Sequence, residues 1–214
     1  MSALRFSSLI ILFPILFAAC GRSELIRIRM LAPVNEDKKD HAIFTDTESL
    51  SSFTPVITNK QIGGSLYFLF KSIGLGYTTI TTKMEKADEN LTEKTTLVTN
   101  FADVAFGIGE NYTFMWGAGV LTGGQGETSL EYNSKTFNPN HNYLGGHSLF
   151  FVLGHHGFGF ETLLGYRTNS IKAEFEEINP SDEDFGKTGK DFTYESNIIS
   201  LKTSQVQLGI GFTF

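Results

Sequence analysis

Residues 205–214 read Gln205-Val206-Gln207-Leu208-Gly209-Ile210-Gly211-Phe212-Thr213-Phe214. Val206, Leu208, Ile210, Phe212 and Phe214 fall on one side of an extended chain. Gln205, Gln207, Gly209, Gly211 and Thr213 fall on the other. Successive side chains of a pleated strand point to opposite faces, so strict alternation with period two predicts a strand. One face is wholly apolar and the other polar or small, and this strand therefore divides two unlike environments.

The same alternation recurs upstream. Leu66, Phe68 and Phe70 share a face in a strand over 62–70, and Ile73, Leu75, Tyr77 and Thr79 alternate with Gly74, Gly76 and Thr78. Val104, Phe106 and Ile108 oppose Asp103, Ala105 and Gly107 in a strand over 98–109. Tyr112, Phe114, Trp116, Ala118 and Val120 define the next. Leu149, Phe151 and Leu153 define one over 148–154, and Phe158, Phe160, Leu164 and Tyr166 one over 158–167. Lys71-Ser72, Glu110-Asn111 and His155-His156-Gly157 are expected as tight turns between them. The connections at the other ends are expected to be long: Glu85 to Lys94, Gly123 to Asn142, and a Pro/Gly/acid-rich stretch from Glu174 through Gly189. With the last strand this makes seven, and alternating short and long connections are the mark of an up-and-down barrel.

The terminal segment resembles the C-terminal assembly signal of bacterial outer-membrane barrels: a final Phe with apolar residues at every second position before it. In layout the chain resembles small outer-membrane barrels of the OmpA/OmpX type. That resemblance implies an all-β, eight-stranded antiparallel up-and-down transmembrane β-barrel in the bacterial outer membrane, with its long loops outside. It implies outer-membrane lipid and lipopolysaccharide as surroundings, the barrel-assembly machinery as a partner of Val206, Leu208, Ile210, Phe212 and Phe214, and a monomer. Single-chain bacterial barrels are even-stranded, so an eighth strand is required. Leu25 to Met30 is its best candidate, with Ile26, Ile28 and Met30 outward; His41 to Phe44 belongs either to its partner or to the first loop.

The first twenty residues read as an address. Arg5 precedes the apolar block Leu9 to Phe17, followed by Ala18-Ala19-Cys20-Gly21, the order of a secretory signal peptide. Phe17-Ala18-Ala19-Cys20 resembles a bacterial lipobox, which implies lipidation of Cys20; Phe17 departs from the usual Leu. The expected division is a signal peptide over 1–19 and one barrel domain over 20–214.

Composition agrees with a sheet protein: 22 Gly, 20 Phe and 7 Tyr stand against 5 Pro in 214 residues. A net charge of −6 leaves no basic footprint for nucleic acid, and the lone Cys20 excludes an internal disulfide.

With the apolar face outward, the glycines fall inward, giving a narrow interior that few large groups can share. The inward charges are Arg27, Arg29, Asp103, Glu161 and Arg167. Unpaired ions are costly in such a space, so opposite signs should meet. They would form either an internal network that plugs the barrel or a charge-selective constriction. Leu69, Ile80, Met115, Leu121 and Leu163 are the apolar residues facing in. They hint at passage of a small hydrophobic molecule. A lipid-anchored periplasmic barrel of lipocalin type would reverse the parity, with apolar faces inward. His155-His156 lacks the Cys or acid of a metal site. His147 and Ser148 face opposite sides of one strand and cannot act as a nucleophile–base pair alone. The acids Glu174, Glu176, Glu177, Asp182, Glu183 and Asp184 lack EF-hand spacing. The reading is non-enzymatic, with no cofactor or metal, in a surface or envelope role: external contact, adhesion or membrane stabilisation.

Overall fold

The computed structural model describes residues 26–34, 44–46, 56–87, 91–132, 135–157, 159–176, 192–194 and 198–214. Eleven strands occur among them: β1 (Ile26–Pro33), β2 (Phe44–Asp46), β3 (Val56–Phe70), β4 (Ile73–Ala87), β5 (Leu91–Gly109), β6 (Tyr112–Tyr132), β7 (Lys135–Phe137), β8 (His141–Gly157), β9 (Phe160–Phe175), β10 (Phe192–Tyr194) and β11 (Ile198–Thr213). Eight close into an antiparallel barrel in the order β1, β3, β4, β5, β6, β8, β9, β11, with β11 returning to β1. The short β7 extends the β6 edge, and β2 pairs β10 in a separate ribbon. Closure runs from Arg27↔Thr213 to Pro33↔Gln207. Since no edge is left at that seam, the row of unpaired amides that an open sheet would show there is removed. Positions 1–25, with Cys20 and the expected signal peptide, lie outside the described residues, as do Phe158, Glu177 and the acids at 182–184.

The parity is that of the sequence pattern. Leu66, Phe68 and Phe70 on β3, Leu149, Phe151 and Leu153 on β8, and Val206, Leu208 and Ile210 on β11 are all exposed, while the residues between them are enclosed. The apolar belt covers three to five outward positions per long strand, and five on β11, from Val206 to Phe214. At about 3.3 Å per residue and a tilt near 40°, it is about 20 Å tall. A ring of exposed Leu, Phe and Val so continuous is unlike the surface of a water-soluble monomer and suits hydrocarbon. Above the belt the outward positions turn polar: Thr79, Asn100, Thr122, His147, Thr168 and Ser204. A lipocalin-type parity is the reverse of what is found.

The strands run further than expected at the long-loop end. The stretch from Glu85 to Lys94 was expected as a loop, yet Glu85↔Lys94 and Ala87↔Thr92 are register partners of β4 and β5. Gly123 to Gly126 belongs to β6, where it passes a bulge opposite Asn100/Phe101. β9 continues to Phe175, β8 begins at His141, and His155 to Gly157 is strand, with the turn after it. Both faces of these extensions lie above the belt, so their outward residues are Lys, Glu and Thr and the amphipathic signal fades. The tight turn at Glu110-Asn111 starts from Gly109 with φ 98°, where an added Cβ would lie 2.1 Å from the Tyr112 carbonyl. Only glycine fits that place.

Inside, apolar and polar groups are layered. Leu31, Tyr67, Leu69, Ala105, Met115, Phe150, Val152 and Leu163 form one buried cluster in the lower half. Ile80, Met84, Leu97, Phe101, Leu130, Ile171, Ala173, Phe175, Ile199 and Leu201 form a second, higher one, with Leu121 and Leu144 against it. The five inward apolar residues recognised in the sequence understate this. Of this upper core, Leu130 and Phe175 lie in stretches that were expected as loops.

Candidate functional site

Two ionic clusters lie in the interior, one on each side of the lower apolar cluster. Strand β9 carries a member of each: Glu161 near the short-turn end and Arg167 six residues higher. Residues an even number apart on a strand share a face, so β9 presents both to the lumen.

The lower cluster joins β1 to β9. Arg29 grips Glu161 through two parallel hydrogen bonds, Nε to Oε2 at 2.7 Å and Nη2 to Oε1 at 2.8 Å. Its Nη2 also donates to Thr113 Oγ1 on β6 at 2.7 Å. Arg27 Nη1 lies 3.9 Å from Glu161 Oε1, and its Nη2 donates to the Gly109 carbonyl at 3.1 Å. Fork-to-fork pairing of this kind fixes orientation as well as energy. It fits here because Gly211 and Gly154 flank it: an added Cβ would lie 2.7 Å from Glu161 Oε2 at the first and 2.3 Å from Thr113 Oγ1 at the second.

The upper cluster centres on Arg167, which is fully buried. Its Nη1 donates to Asp103 Oδ2 at 2.8 Å and its Nη2 to Asp103 Oδ1 at 3.0 Å. Nη1 also reaches Tyr67 and Thr78, Nη2 reaches Ser148 Oγ, and Nε donates to Asn169 Oδ1 at 3.0 Å. Thr78 donates to Asp103 Oδ2 at 2.6 Å. The guanidinium carbon sits 4.9 Å from the Phe101 ring centre and 5.4 Å from that of Phe150. Both faces of the cation and its donors are thus occupied from β3, β4, β5 and β8, which offsets the cost of taking the charge out of water.

Arg27, Arg29, Asp103, Glu161 and Arg167 therefore fall into two groups. Arg29 meets Glu161, Arg167 meets Asp103, and neither arginine of β1 is paired with Asp103. Tyr67, Thr78, Thr113, Ser148 and Asn169 are members that were not assigned to the charge network beforehand. Each occupies an inward position by the same alternation, so continuing the parity through the polar residues would have found them. Ser148 is committed to Arg167, and His147 faces out. His156 Nε2 lies 3.1 Å from Thr213 Oγ1, and the His155 ring lies 5.0 Å from that of Tyr112 on the rim. Glu176 accepts from Asn140 at 3.0 Å. Among the described residues no group of three His, Cys, Asp or Glu is placed to hold a metal ion.

The chemistry of the two clusters is that of a closed interior. Each acid of the two clusters, Glu161 and Asp103, is matched by an arginine.

No known family's sequence profile matches the chain, and no curated protein does. Solved structures give similar layouts. The outer membrane protein OprG from Pseudomonas aeruginosa aligns over 91% of this chain and 98% of its own, with 9% identity and a TM-score of 0.45. Neisserial surface protein A (NspA) aligns over 88% of this chain and 96% of its own, with 10% identity and a TM-score of 0.39.

Proposed function

We propose that this chain is a monomeric bacterial outer-membrane barrel with a surface or envelope role and a lumen plugged by its own ionic layers. The observation that supports it is the inside-out distribution of polarity. Leucines and phenylalanines face outward over a belt of bilayer height, while Arg29, Glu161, Asp103 and Arg167 are sealed within. Such an object is stable only where hydrocarbon surrounds it. Among the described residues the interior holds paired ions and packed side chains, which supports a role at the outer ends of the strands. The extended hairpins there would meet lipopolysaccharide and external molecules. The terminal residues Val206 to Phe214 would be read by the barrel-assembly machinery, and Cys20 would carry lipid.

The test is fractionation with gel migration. The native protein from an outer-membrane fraction should run as a compact band that shifts on heating. Labelling with a fatty acid should follow the wild type and disappear in Cys20→Ser. In planar bilayers the wild type should pass no steady current. Recovery from the soluble periplasm, or an open wild-type pore, would defeat this reading.

A further inference from the structure

The wall of the barrel has one place where β1 leaves β3. The two strands pair from Ile26↔Phe70 to Leu31↔Ser65 and no further, while β1 stays with β11 to Pro33↔Gln207. The cause is chemical. Ile26 and Val34 donate their amides to Phe214 and Val206 on β11. Neighbouring residues of an antiparallel strand point their amides to opposite sides, so Arg27, Arg29, Leu31 and position 33 point theirs at β3. Pro33 has no amide to give, and the ladder to β3 stops there. A crevice of about 370 Å³ opens at this point between Ala32, Pro33 and Val34 on one side and Lys60, Gln61, Ile62 and Gly63 on the other.

Behind the crevice the interior is polar. Gln205 on β11 donates to Gln61 Oε1 on β3, spanning the wall beyond the end of β1. Gln207 reaches towards Ser65 and Gln205 at 3.4 and 3.5 Å. Gln61 is the register partner of Thr82 on β4. Within this one cluster three buried polar atoms find no partner in the protein: Gln61 Nε2, Thr82 Oγ1 and Gln207 Oε1. The three residues are 6%, 0% and 1% exposed. They comprise a donor, an acceptor and a hydroxyl that is both, the complement a water molecule satisfies with its two hydrogens and two lone pairs.

We infer that Gln61, Thr82 and Gln207 form a built hydration site behind Pro33, whose water exchanges with the solution through the crevice beside β1. Water is the occupant because the unpaired groups are neutral, small in number and of both hydrogen-bonding senses. An ion would need matching charge, and the nearest buried charges are already paired with each other. The β1 seam is thereby a side port for water, separate from the axis that the two ionic clusters block.

Two measurements on the full-length barrel test this. A crystal structure that resolves ordered solvent should show water within hydrogen-bonding distance of Gln61 Nε2 and Gln207 Oε1. Rotated amides that satisfy both atoms from protein groups, with no solvent density, overturn the site. In a Cys20→Ser background, Gln207→Cys and Thr82→Cys should react with a small neutral methanethiosulfonate about tenfold faster than Val152→Cys in the lower apolar cluster. Adding Pro33→Ala, which returns an amide to β1, should slow both. Heat-modifiable migration confirms that each variant is folded. Folded variants in which the two polar positions react no faster than Val152→Cys, or are indifferent to Pro33→Ala, overturn the port.

Discussion

Arg167 on β9 and Asp103 on β5 face each other across the interior, joined by two hydrogen bonds of 2.8 and 3.0 Å, with both side chains fully enclosed. Two strands, β6 and β8, lie between theirs around the barrel wall. The pair is therefore a tie across the lumen rather than a link between neighbours.

Removing one end of that tie strands the other charge among Phe101, Phe150 and Tyr67. Asp103→Asn or Arg167→Met should each lower stability by about 3–5 kcal/mol. The double variant Arg167→Met/Asp103→Leu should recover most of the loss, since no ion is then buried alone. Urea titration followed by heat-modifiable migration measures this, and additive losses in the double variant would show that the two residues act independently.

On the proposal that both ionic layers plug the lumen, conduction needs both to open. Glu161→Gln alone and Asp103→Asn alone should leave the bilayer current at baseline, because the other layer still fills the lumen. The combined variant should leak. A single variant that conducts as well as the double would show that only one layer obstructs the path.

Strand β6 offers a matched pair of glycines. A Cβ at Gly119 would fall 1.9 Å from Asp103 Oδ1 and 2.7 Å from Ser148 Oγ, whereas one at Gly123 meets nothing within 4 Å. Gly119→Ala should cost about 1–3 kcal/mol through displacement of the Arg167 cluster. Gly123→Ala should change stability by no more than about 0.5 kcal/mol. Equal effects in a denaturation series would contradict the packing described for Asp103.

The belt can be sounded with a charge. Leu66 lies midway along the outward row from Ile62 to Phe70, so Leu66→Arg should cost about 2–4 kcal/mol in a bilayer. Thr168→Arg, above the belt on β9, should cost at most about 1 kcal/mol. Folding titrations into vesicles decide between this depth dependence and a uniform penalty.

The parity of the belt was legible because lipid-facing residues must be apolar and their neighbours need not be. Gln205 to Phe214 shows that contrast in five consecutive pairs. The same contrast separated Arg27 and Arg29 from Ile26 and Ile28, and so pointed to the charged interior. The strand extensions were not legible, because once both sides of the wall are clear of lipid the outward row reads Lys83, Glu85, Lys94 and Thr96. A run such as Thr92 to Thr99 then looks like a loop. The glycines at 123, 124 and 126 read as the start of a long loop, yet they continue β6 just past a bulge. The partners of each arginine were also hidden, since strand order alone does not say how far a guanidinium reaches across a lumen.

β6 runs for 21 residues, of which only Tyr112 to Val120 lie in the belt. At the same rise and tilt, its upper part stands about 30 Å clear of the hydrocarbon. Counter-ions in a physiological medium mask fields within about 8 Å. In the proposed outer-membrane setting, the tips of this turret would thus be electrically insulated from lipid phosphates at its base. Whatever they touch there would sense the tips' own charge, with an anionic surface below contributing almost nothing.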